Sequence, residues 1–327
     1  MEAAVTGGVA FLLAGVLVPL LARFAVGRDL LDVPNLRSSH QAPTPRLGGL
    51  AVICGTWLAT LVTLQPDGWP LLVGATLMGA VGLADDLGDL PVSIKGVGQV
   101  MVSLGLLYVF PPPLLFRVPG GWWIAALLFG VLWLVAMVNA LNFMDGIDGL
   151  VGGVAVVNVF FLAALVGGMG GLLTAFVGAV AGFLVWNISP ASIFLGDAGS
   201  YFMGFLLGTV ALYGPVPASE RWTPVGFIAC ALVFTPLLFD TGFTLLSRLR
   251  AGKNIFTAHR EHIYQQVTST TEMHRRTSNV YYVASAVAGI AALLVADGGI
   301  SALAGGAAAL VCCGGLLALP RLIGSGK

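Results

Sequence analysis

Between two long apolar runs the chain reads Asn139-Ala-Leu-Asn-Phe-Met-Asp145-Gly-Ile-Asp148-Gly-Leu-Val-Gly-Gly153. The two carboxylates stand three residues apart, so a helical conformation here would project both from one face, where they can share one cation. An ionisable side chain at bilayer depth costs roughly 2.5 to 3.5 kcal/mol on insertion scales. A chain that keeps such groups beside an apolar run therefore indicates a functional site.

The composition puts this motif in a polytopic membrane protein. Of the 327 residues, 57% are hydrophobic and only 9% are charged, and the mean hydropathy is +0.95. A soluble globule does not carry that much apolar surface, and each membrane span needs about 20 apolar residues. We therefore expect one integral membrane domain over residues 1–327. The net charge is zero, so overall charge gives no indication of nucleic acid as a partner.

Apolar runs interrupted by Gly, Pro and charged residues predict an all-α fold with about eleven transmembrane helices. The predicted spans cover residues 4–24, 48–65, 69–87, 96–111, 121–139, 149–168, 170–187, 199–214, 224–246, 279–296 and 299–320.

The basic residues predict which side of the membrane each connection faces. One set of alternate connections carries thirteen of the 15 Lys and Arg residues, and the other carries only Arg117 and Arg221. The positive-inside rule then places the N-terminus outside and the basic connections in the cytoplasm.

Five polar segments fall on this predicted cytoplasmic side: Asp32 to Gly49, Asp85 to Lys95, Asn139 to Gly149, Asn187 to Ser200 and Asp240 to Arg276. Five or more dry, unpaired carboxylates at this depth would cost over ~10 kcal/mol. We therefore expect a wet cavity that holds a cation. Mg²⁺ suits it, because magnesium commonly bridges one or two carboxylates to substrate phosphates.

Two of these segments also have a simpler interpretation. Asp85 and Asp86 are adjacent, so they repel each other unless a cation or Lys95 supplies positive charge. The alternative is a solvated helix end. Asp197 lies among small residues that leave room for a metal or a phosphate, ahead of a helix N-terminus. The alternative there is an ordinary turn with a helix cap.

The segment from Asp240 to Arg276 is the longest of the five. Its His259, Arg260 and His262 suit a phosphorylated or diphosphate substrate. The alternative is a basic loop that serves only as a topology signal. The sequence indicates no role for Asp240.

Taken together, the motifs resemble those of the polyprenyl-phosphate N-acetylhexosamine-1-phosphate transferases, which include the phospho-N-acetylmuramoyl-pentapeptide transferases. The resemblance runs in chain order through Asp32-Val-Pro-Asn, Pro43-Thr-Pro-Arg-Leu-Gly-Gly, Ala84-Asp-Asp, Asn142-Phe-Met-Asp-Gly-Ile-Asp-Gly, and Asn187 with Phe194-Leu-Gly-Asp-Ala-Gly-Ser. Five motifs in order span nearly the whole chain.

The resemblance implies an enzyme of the bacterial cytoplasmic (inner) membrane with its active site at the cytoplasmic face. Such an enzyme transfers a sugar 1-phosphate from a UDP-N-acetylhexosamine to polyprenyl (undecaprenyl) phosphate and releases UMP. This step initiates lipid-linked cell-envelope glycan synthesis. The implied cofactor is Mg²⁺, with Mn²⁺ as the alternative ion, and the resemblance leaves open a homodimer.

The resemblance also implies roles for individual residues. Asp197 would be the magnesium ligand, and Asp85 and Asp86 would serve the lipid phosphate or its deprotonation. Asp145 and Asp148 would support the diphosphate. The predicted catalytic residues are Asp85, Asp86, Asp145, Asp148 and His262.

A second set of residues is expected to bind substrate. Lys95 resembles the lysine that contacts phosphate, and Asn187 and Phe194 resemble the uridine contacts, Phe194 by stacking on uracil. The full predicted set is Arg46, Lys95, Asn142, Asn187, Phe194, His259 and Arg260.

One motif departs from the best-known members of the family. Where those usually carry a His-x-His pair or a run of histidines, this chain has His262-Ile-Tyr264. This form resembles the branch that initiates O-antigen or other surface glycans more than the peptidoglycan enzyme. From another class, an ion-coupled transporter is the competing prediction, although it would place its charges at the membrane midplane on broken helices.

Overall fold

A computed structural model describes residues 2–33, 42–63, 68–113, 115, 120–214, 223–257, 259–268 and 271–324. Arg117 and Arg221, on which the predicted topology partly rests, lie outside these ranges. The α-helices are α1 Glu2–Gly27, α2 Gly48–Val62, α3 Trp69–Gly88, α4 Val92–Val109, α5 Trp123–Met144, α6 Leu150–Leu165, α7 Gly170–Asn187, α8 Gly196–Tyr213, α9 Pro224–Leu232, α10 Thr235–Arg250, α11 Ile263–Val267, α12 Thr271–Asp297 and α13 Gly299–Gly324.

The non-helical elements among the described residues are short. Strands β1 (Leu31–Asp32) and β2 (Thr44–Pro45) pair antiparallel, and Gly120–Trp122 forms one 3₁₀ turn before α5. The predicted all-α class is therefore confirmed.

Seven of the described helices are long and apolar enough to cross a membrane: α1, α3, α4, α5, α7, and the greater parts of α12 and α13. The count rises to eight if α9 and α10 together form one span. Helices α2 and α6 are apolar but shorter. A polytopic helical membrane protein is thus confirmed, whereas the number of eleven spans remains a prediction.

The predicted span 224–246 is not one uninterrupted helix. It consists of α9 and α10, which meet at a break with an 80° bend. Pro236 lies in the first turn of α10. A proline there has no N–H to donate to the preceding turn, and its ring would clash with the carbonyl of Leu232, so the chain turns instead of continuing.

Helix α8 occupies the centre of the molecule. All of its residues from Ala198 to Leu212 are buried. Glycines let its neighbours approach closely, as small residues do in membrane bundles. A Cβ added to Gly82 of α3 would lie 2.2 Å from the Asp197 carbonyl oxygen, and one added to Gly204 would lie 2.8 Å from the Met137 carbonyl oxygen of α5.

The start of α2 is bonded to the segment before α8. Gly48 donates its N–H to the Phe194 carbonyl over 2.9 Å, and Gly49 donates to Leu195 over 2.7 Å. Phe194 in turn donates to the Pro45 carbonyl over 2.8 Å. Arg46 lies between Pro45 and α2, so these bonds place it at the N-terminal end of α8.

The motif quoted first is only partly helical. Helix α5 ends at Met144, and residues 145–149 form a turn before α6. Gly149 has φ of +73°, a left-handed conformation that glycine adopts without steric cost and that interrupts the helix. The helical conformation considered for Asp145 and Asp148 is therefore wrong, and the two side chains have different surroundings.

Candidate active site

A polar cleft of about 250 Å³ lies where α3 ends and α8 begins. Its lining combines four carboxylates with two cationic side chains and one leucine: Arg46, Asp85, Asp86, Asp89, Leu90, Lys95 and Asp197. Five of the predicted site residues thus meet in one cleft, although they come from three separate sequence motifs and the start of α4.

Asp85 is held in place by two partners. Lys95 Nζ lies 2.7 Å from Asp85 Oδ2, and the Leu90 N–H donates to Asp85 Oδ1 over 2.8 Å. The lysine side chain is partly exposed, and the aspartate side chain is only 6% exposed. Lys95 therefore supplies part of the positive charge that this carboxylate requires.

Asp86 caps the N-terminus of α8. Its Oδ1 accepts from the Asp197 N–H over 3.0 Å, and its Oδ2 accepts from the Ala198 N–H over 2.9 Å. The first N–H groups of a helix lack partners within the helix, and a carboxylate there also interacts favourably with the helix dipole. Arg46 Nη2 binds the Asp86 carbonyl over 2.5 Å. Both Asp86 oxygens are therefore engaged with backbone.

Asp197 lies in the first turn of α8 and faces polar neighbours. Asn142 Nδ2 donates to Asp197 Oδ1 over 2.8 Å and lies 3.1 Å from Ser200 Oγ. The carboxyl groups of Asp85 and Asp197 lie within hydrogen-bonding reach of each other. Two ionised carboxylates repel at this distance, so they need a shared proton or a shared cation.

This donor set fits Mg²⁺. Within the described ranges, no group of three or more His, Cys, Asp or Glu side chains is arranged to hold a metal ion. Magnesium does not require such a group, since it is commonly held by one or two carboxylates together with water and substrate phosphates. Asp197 and Asp85 provide hard oxygen ligands of this kind.

Asp145 faces the same carboxylates from the turn after α5. Burial, and then the negative charges of Asp197, Asp86 and Asp148, raise the pKa of Asp145 well above its usual range. A cation in the cleft would oppose this effect by favouring the charged form.

Asp148 is bonded to other parts of the chain. Its Oδ2 accepts from the Ala191 N–H over 3.2 Å and lies 3.5 Å from His274 Nδ1 of α12. Its carbonyl accepts from Ser278 Oγ over 3.0 Å. Burial alone would raise the pKa of Asp148, but the nearby imidazole of His274 and the bond from the Ala191 N–H lower it below its usual value. His274 is a site neighbour that the sequence analysis missed.

Asn187 links two turns near the cleft. Its Oδ1 accepts from the Gly149 N–H over 3.1 Å, and its Nδ2 donates to the Ile193 carbonyl over 2.9 Å. The side chain is buried, and both polar atoms of its amide have backbone partners. Phe194 is half-buried between Arg46 and α8. The uridine contacts assigned to these two residues stay predictions.

The predicted substrate-binding histidines form an aromatic stack beside the end of α5. The ring of His262 lies 5.0 Å from that of His259 and 5.9 Å from that of Phe143. Burial and the charges of His262 and Arg248 lower the pKa of His259. Arg260 is exposed. The stack reaches the Asn142 motif through Phe143, but these side chains do not line the carboxylate cleft itself.

Tyr264, the residue that departs from the family pattern, is fully buried. Its hydroxyl donates to the Phe143 carbonyl over 2.9 Å and accepts from Gln265 Nε2. A Cβ on Gly146 would lie 2.2 Å from this hydroxyl. Tyr264 therefore fixes the end of α5 and the following turn.

Asp240 is the residue whose importance the sequence did not reveal. It is completely buried on α10, and its Oδ1 lies 3.1 Å from His262 Nδ1. It also accepts from the N–H groups of Ile263 and Tyr264 over 2.9 and 3.1 Å. The sequence contains no signal for this arrangement, because the partners are more than twenty positions away.

Arg248 anchors the loop that precedes this stack. The buried guanidinium donates to Glu261 Oε1 over 2.6 Å, to the Asn254 carbonyl over 2.6 Å and to Thr257 Oγ1 over 3.1 Å. Lys253 adds a further contact with Glu261 over 3.1 Å. These bonds hold Asn254, Thr257 and Glu261 against the end of α10, so Arg248 does more than signal topology.

Comparisons with known proteins agree with these motifs. The family model described as glycosyl transferase family 4 matches residues 69–215. A Bacillus subtilis (strain 168) protein named "Probable undecaprenyl-phosphate N-acetylglucosaminyl 1-phosphate transferase" is 31% identical over 86% of this chain and 81% of its own length.

Two further relatives carry related names. A "Phospho-N-acetylmuramoyl-pentapeptide-transferase" from Heliobacterium modesticaldum (strain ATCC 51547 / Ice1) is 30% identical over 89% of this chain and 96% of its own length. A "Decaprenyl-phosphate N-acetylglucosaminephosphotransferase" from Mycobacterium tuberculosis (strain CDC 1551 / Oshkosh) is 27% identical over 86% and 81%. None of these names describes a transporter, so the competing transporter prediction gains no support.

Proposed function

Because this chain belongs to glycosyl transferase family 4, we propose that it transfers an N-acetylhexosamine 1-phosphate from a UDP-sugar to polyprenyl phosphate and releases UMP. The observation that carries this proposal is the cleft in which Asp85, Asp86 and Asp197 meet Lys95 and Arg46. Phosphoryl transfer requires mainly positioning and charge neutralisation. A carboxylate-lined cleft with two cationic side chains supplies both.

The charged residues that were predicted from the sequence divide the tasks in the cleft among them. Lys95 and Arg46 bind phosphate oxygens, and Asp86 fixes the start of α8 so that Asp197 keeps its place. Asp85, beside Lys95, orients the lipid phosphate or takes its proton. Asp197 and Asp85 would hold Mg²⁺, which when bound neutralises phosphate charge as a Lewis acid.

The donor would lie between the cleft and the aromatic stack. Asn142 bonds Asp197 and is followed by Phe143, which contacts His262. Asp145 and Asp148 of the next turn support the diphosphate, and His259, Arg260 and His262 contact its sugar or phosphates. Asn187 and Phe194 remain the proposed uridine contacts.

The donor is proposed to be a UDP-N-acetylhexosamine of the surface-glycan branch, with the peptidoglycan precursor as the alternative. The relatives from Bacillus subtilis and Mycobacterium tuberculosis, whose names specify N-acetylglucosamine, support this choice, and so does Tyr264 in place of the usual second histidine. We further propose that the enzyme lies in the bacterial cytoplasmic membrane with its cleft facing the cytoplasm. The proposal includes a homodimer as one oligomeric state of the enzyme.

The proposal is tested by incubating purified protein with undecaprenyl phosphate and a panel of UDP-sugars in the presence of Mg²⁺. UMP release that depends on both the lipid and one UDP-N-acetylhexosamine is the expected result. Absence of UMP release with every donor, from monodisperse protein, would contradict the proposed function.

The metal assignment predicts that Asp197→Asn lowers turnover by two or more decades, since losing the metal-held charge should raise the barrier by several kcal/mol and each ~1.4 kcal/mol is tenfold. Turnover is measured over a magnesium titration and in excess EDTA. Asp297→Asn is the matched control, because Asp297 is exposed and bonds only Ser301 among the contacts described. Near-normal Asp197→Asn turnover, or wild-type activity in EDTA, would refute the assignment.

A further inference from the structure

We infer that Asp240 is a positioning residue for the transfer reaction, in that its carboxylate fixes the ring and the tautomer of His262. This inference rests on the function proposed above. An ionised carboxylate can only accept hydrogen bonds, so the contact between Asp240 Oδ1 and His262 Nδ1 places the ring proton on Nδ1. The lone pair is then on Nε2, the nitrogen left for a substrate group.

The surroundings of Asp240 support a fixed, charged side chain. Besides His262, Ile263 and Tyr264, its oxygens accept from Thr244 Oγ1 over 3.3 Å and from the Tyr281 hydroxyl. A buried carboxylate is tolerable only when it is well hydrogen-bonded. These five donors come from α10, α11, α12 and the residue before α11, so the network locks three helices around one side chain.

The geometry shows that this network extends toward the site. The His262 ring stacks on His259 and contacts Phe143 of α5, and Asp145 follows two residues later. The adjacent Tyr264 is held by the Phe143 carbonyl. The N–H groups of Ile263 and Tyr264 join α10 to α11, and Thr244 and Tyr281 complete the bonding of the carboxylate. Of the five contacts, the one to the imidazole bears on the chemistry.

A double-mutant cycle tests the inference. We expect Asp240→Asn to lower kcat at least tenfold with a smaller change in KM for the UDP-sugar. General acid–base groups accelerate a reaction about 10²- to 10⁴-fold, and a misplaced group loses most of that acceleration. In the His262→Ala background the same change should have little further effect, because residues that act as a unit are not additive. Full activity of Asp240→Asn, or losses that multiply, would overturn the inference.

Tyr281→Phe is the matched control. It removes one hydrogen bond from Asp240 Oδ2, the oxygen that does not contact His262, and it keeps the aromatic ring. We expect a lower thermal midpoint with kcat within about twofold of wild type. If Tyr281→Phe lowers kcat as much as Asp240→Asn does, general weakening of the hydrogen bonds around Asp240 explains both losses and the inference fails.

A measurement on the wild-type protein covers the case in which Asp240→Asn does not fold. The chain has four histidines, so ¹⁵N NMR of histidine-labelled protein can be assigned by single substitutions. At neutral pH the His262 signals should report the Nδ1–H tautomer, and an Nε2–H tautomer would overturn the inference. A wild type that is inactive with every donor would instead refute the proposed function, whatever the tautomer.

Discussion

Adjacent carboxylates in one motif perform different physical tasks. Asp85 pairs with Lys95, whereas Asp86 accepts the first two N–H groups of α8. The bonds of Asp86 go to backbone, so its main contribution is to hold Asp197 in place. The structure therefore distinguishes the two aspartates, whereas the family resemblance assigns both of them to the lipid phosphate or its deprotonation.

Asp86→Asn should therefore destabilise the protein as well as slow it. An asparagine can accept one of the two N–H groups through Oδ1, but its own amide nitrogen then faces the other donor. Losing a helix cap costs about 1 kcal/mol, and an unsatisfied buried donor costs about 1 to 3 kcal/mol. The thermal midpoint in detergent, measured with and without a UDP-sugar, reports this loss.

Asp89→Asn is the control for this change in stability. Asp89 is exposed at the end of α3 with φ of +45°, a conformation that asparagine also tolerates. Its thermal midpoint should stay at the wild-type value. Equal midpoints for Asp86→Asn and Asp89→Asn would show that the cap contributes little.

At the residue scale the sequence predicted which side chains gather, but not what each one touches. Asp85, Asp86, Lys95, Arg46 and Asp197 do line one cleft. The motif pattern could not show that Asp86 reaches the backbone 111 positions away. Nor could it single out Asp240 and His274, because neither is marked by local spacing, and each acts through a partner that only the fold brings near.

At the scale of elements, α8 determines where the chemistry can occur. It is buried along nearly its whole length, and its N-terminal end carries Asp197. Helices α3, α5 and α7 run toward that end and finish near it with Asp86, Asn142 and Asn187. Three helix ends with polar side chains thus surround the start of α8, whose Asp197 and Ala198 N–H groups are bonded to the Asp86 carboxylate.

The close packing of α3 on α8 can be tested with one methyl group. Gly82→Ala would place its Cβ 2.2 Å from the Asp197 carbonyl oxygen, so α3 and α8 must separate. Overpacking of this kind typically costs about 1 to 3 kcal/mol. We expect a lower thermal midpoint and a turnover loss of tenfold or more, since the shift moves Asp85 and Asp86 relative to Asp197.

Gly88→Ala on the same helix provides the comparison. A Cβ at Gly88 meets nothing within 4 Å, so stability and turnover should stay close to wild type. If both alanine variants behave like wild type, the contact between α3 and α8 is more tolerant than the distances indicate.

The element pattern was largely readable from the sequence, because long apolar runs can only be satisfied as helices in a membrane. Apolar content alone could not locate the break between α9 and α10. The run from 224 to 246 stays apolar across it, and the change of direction arises at Pro236. The turn after Met144 lies in the predicted polar connection between two spans, and the sequence left open whether Asp145 and Asp148 are helical there.

At the scale of the whole molecule, the cleft lies at one end of the helix bundle. The basic connections are predicted to lie at the same end. Lys95 and Arg46 line the cleft, Arg248 lies in the last turn of α10, and Lys253 lies in the loop before His262. Two independent features, the charge bias and the location of the carboxylates, therefore indicate the same side. A water-soluble nucleotide donor would be available there only if that side is the cytoplasm.

This argument predicts which positions an impermeant thiol reagent can reach in intact cells. In a background free of native cysteine, Arg250→Cys should resist labelling from outside until the cells are opened, since α10 ends on the proposed cytoplasmic side. Trp122→Cys should label at once, because Trp122 is 67% exposed before α5 and lies at the opposite end of that helix from Asn142. The cysteines to be replaced first are Cys54, Cys230, Cys312 and Cys313.

The charge bias of thirteen to two makes the reverse orientation unfavourable, because retaining basic loops in the cytoplasm is what sets membrane orientation. The position of the cleft adds a second constraint, since an outward-facing site could not draw on a cytoplasmic donor. Labelling of position 250 from outside, with position 122 protected until the cells are opened, would invert the topology. The transferase would then lack access to its proposed cytoplasmic substrate, and wild-type turnover of a UDP-sugar added to intact cells would confirm the inversion.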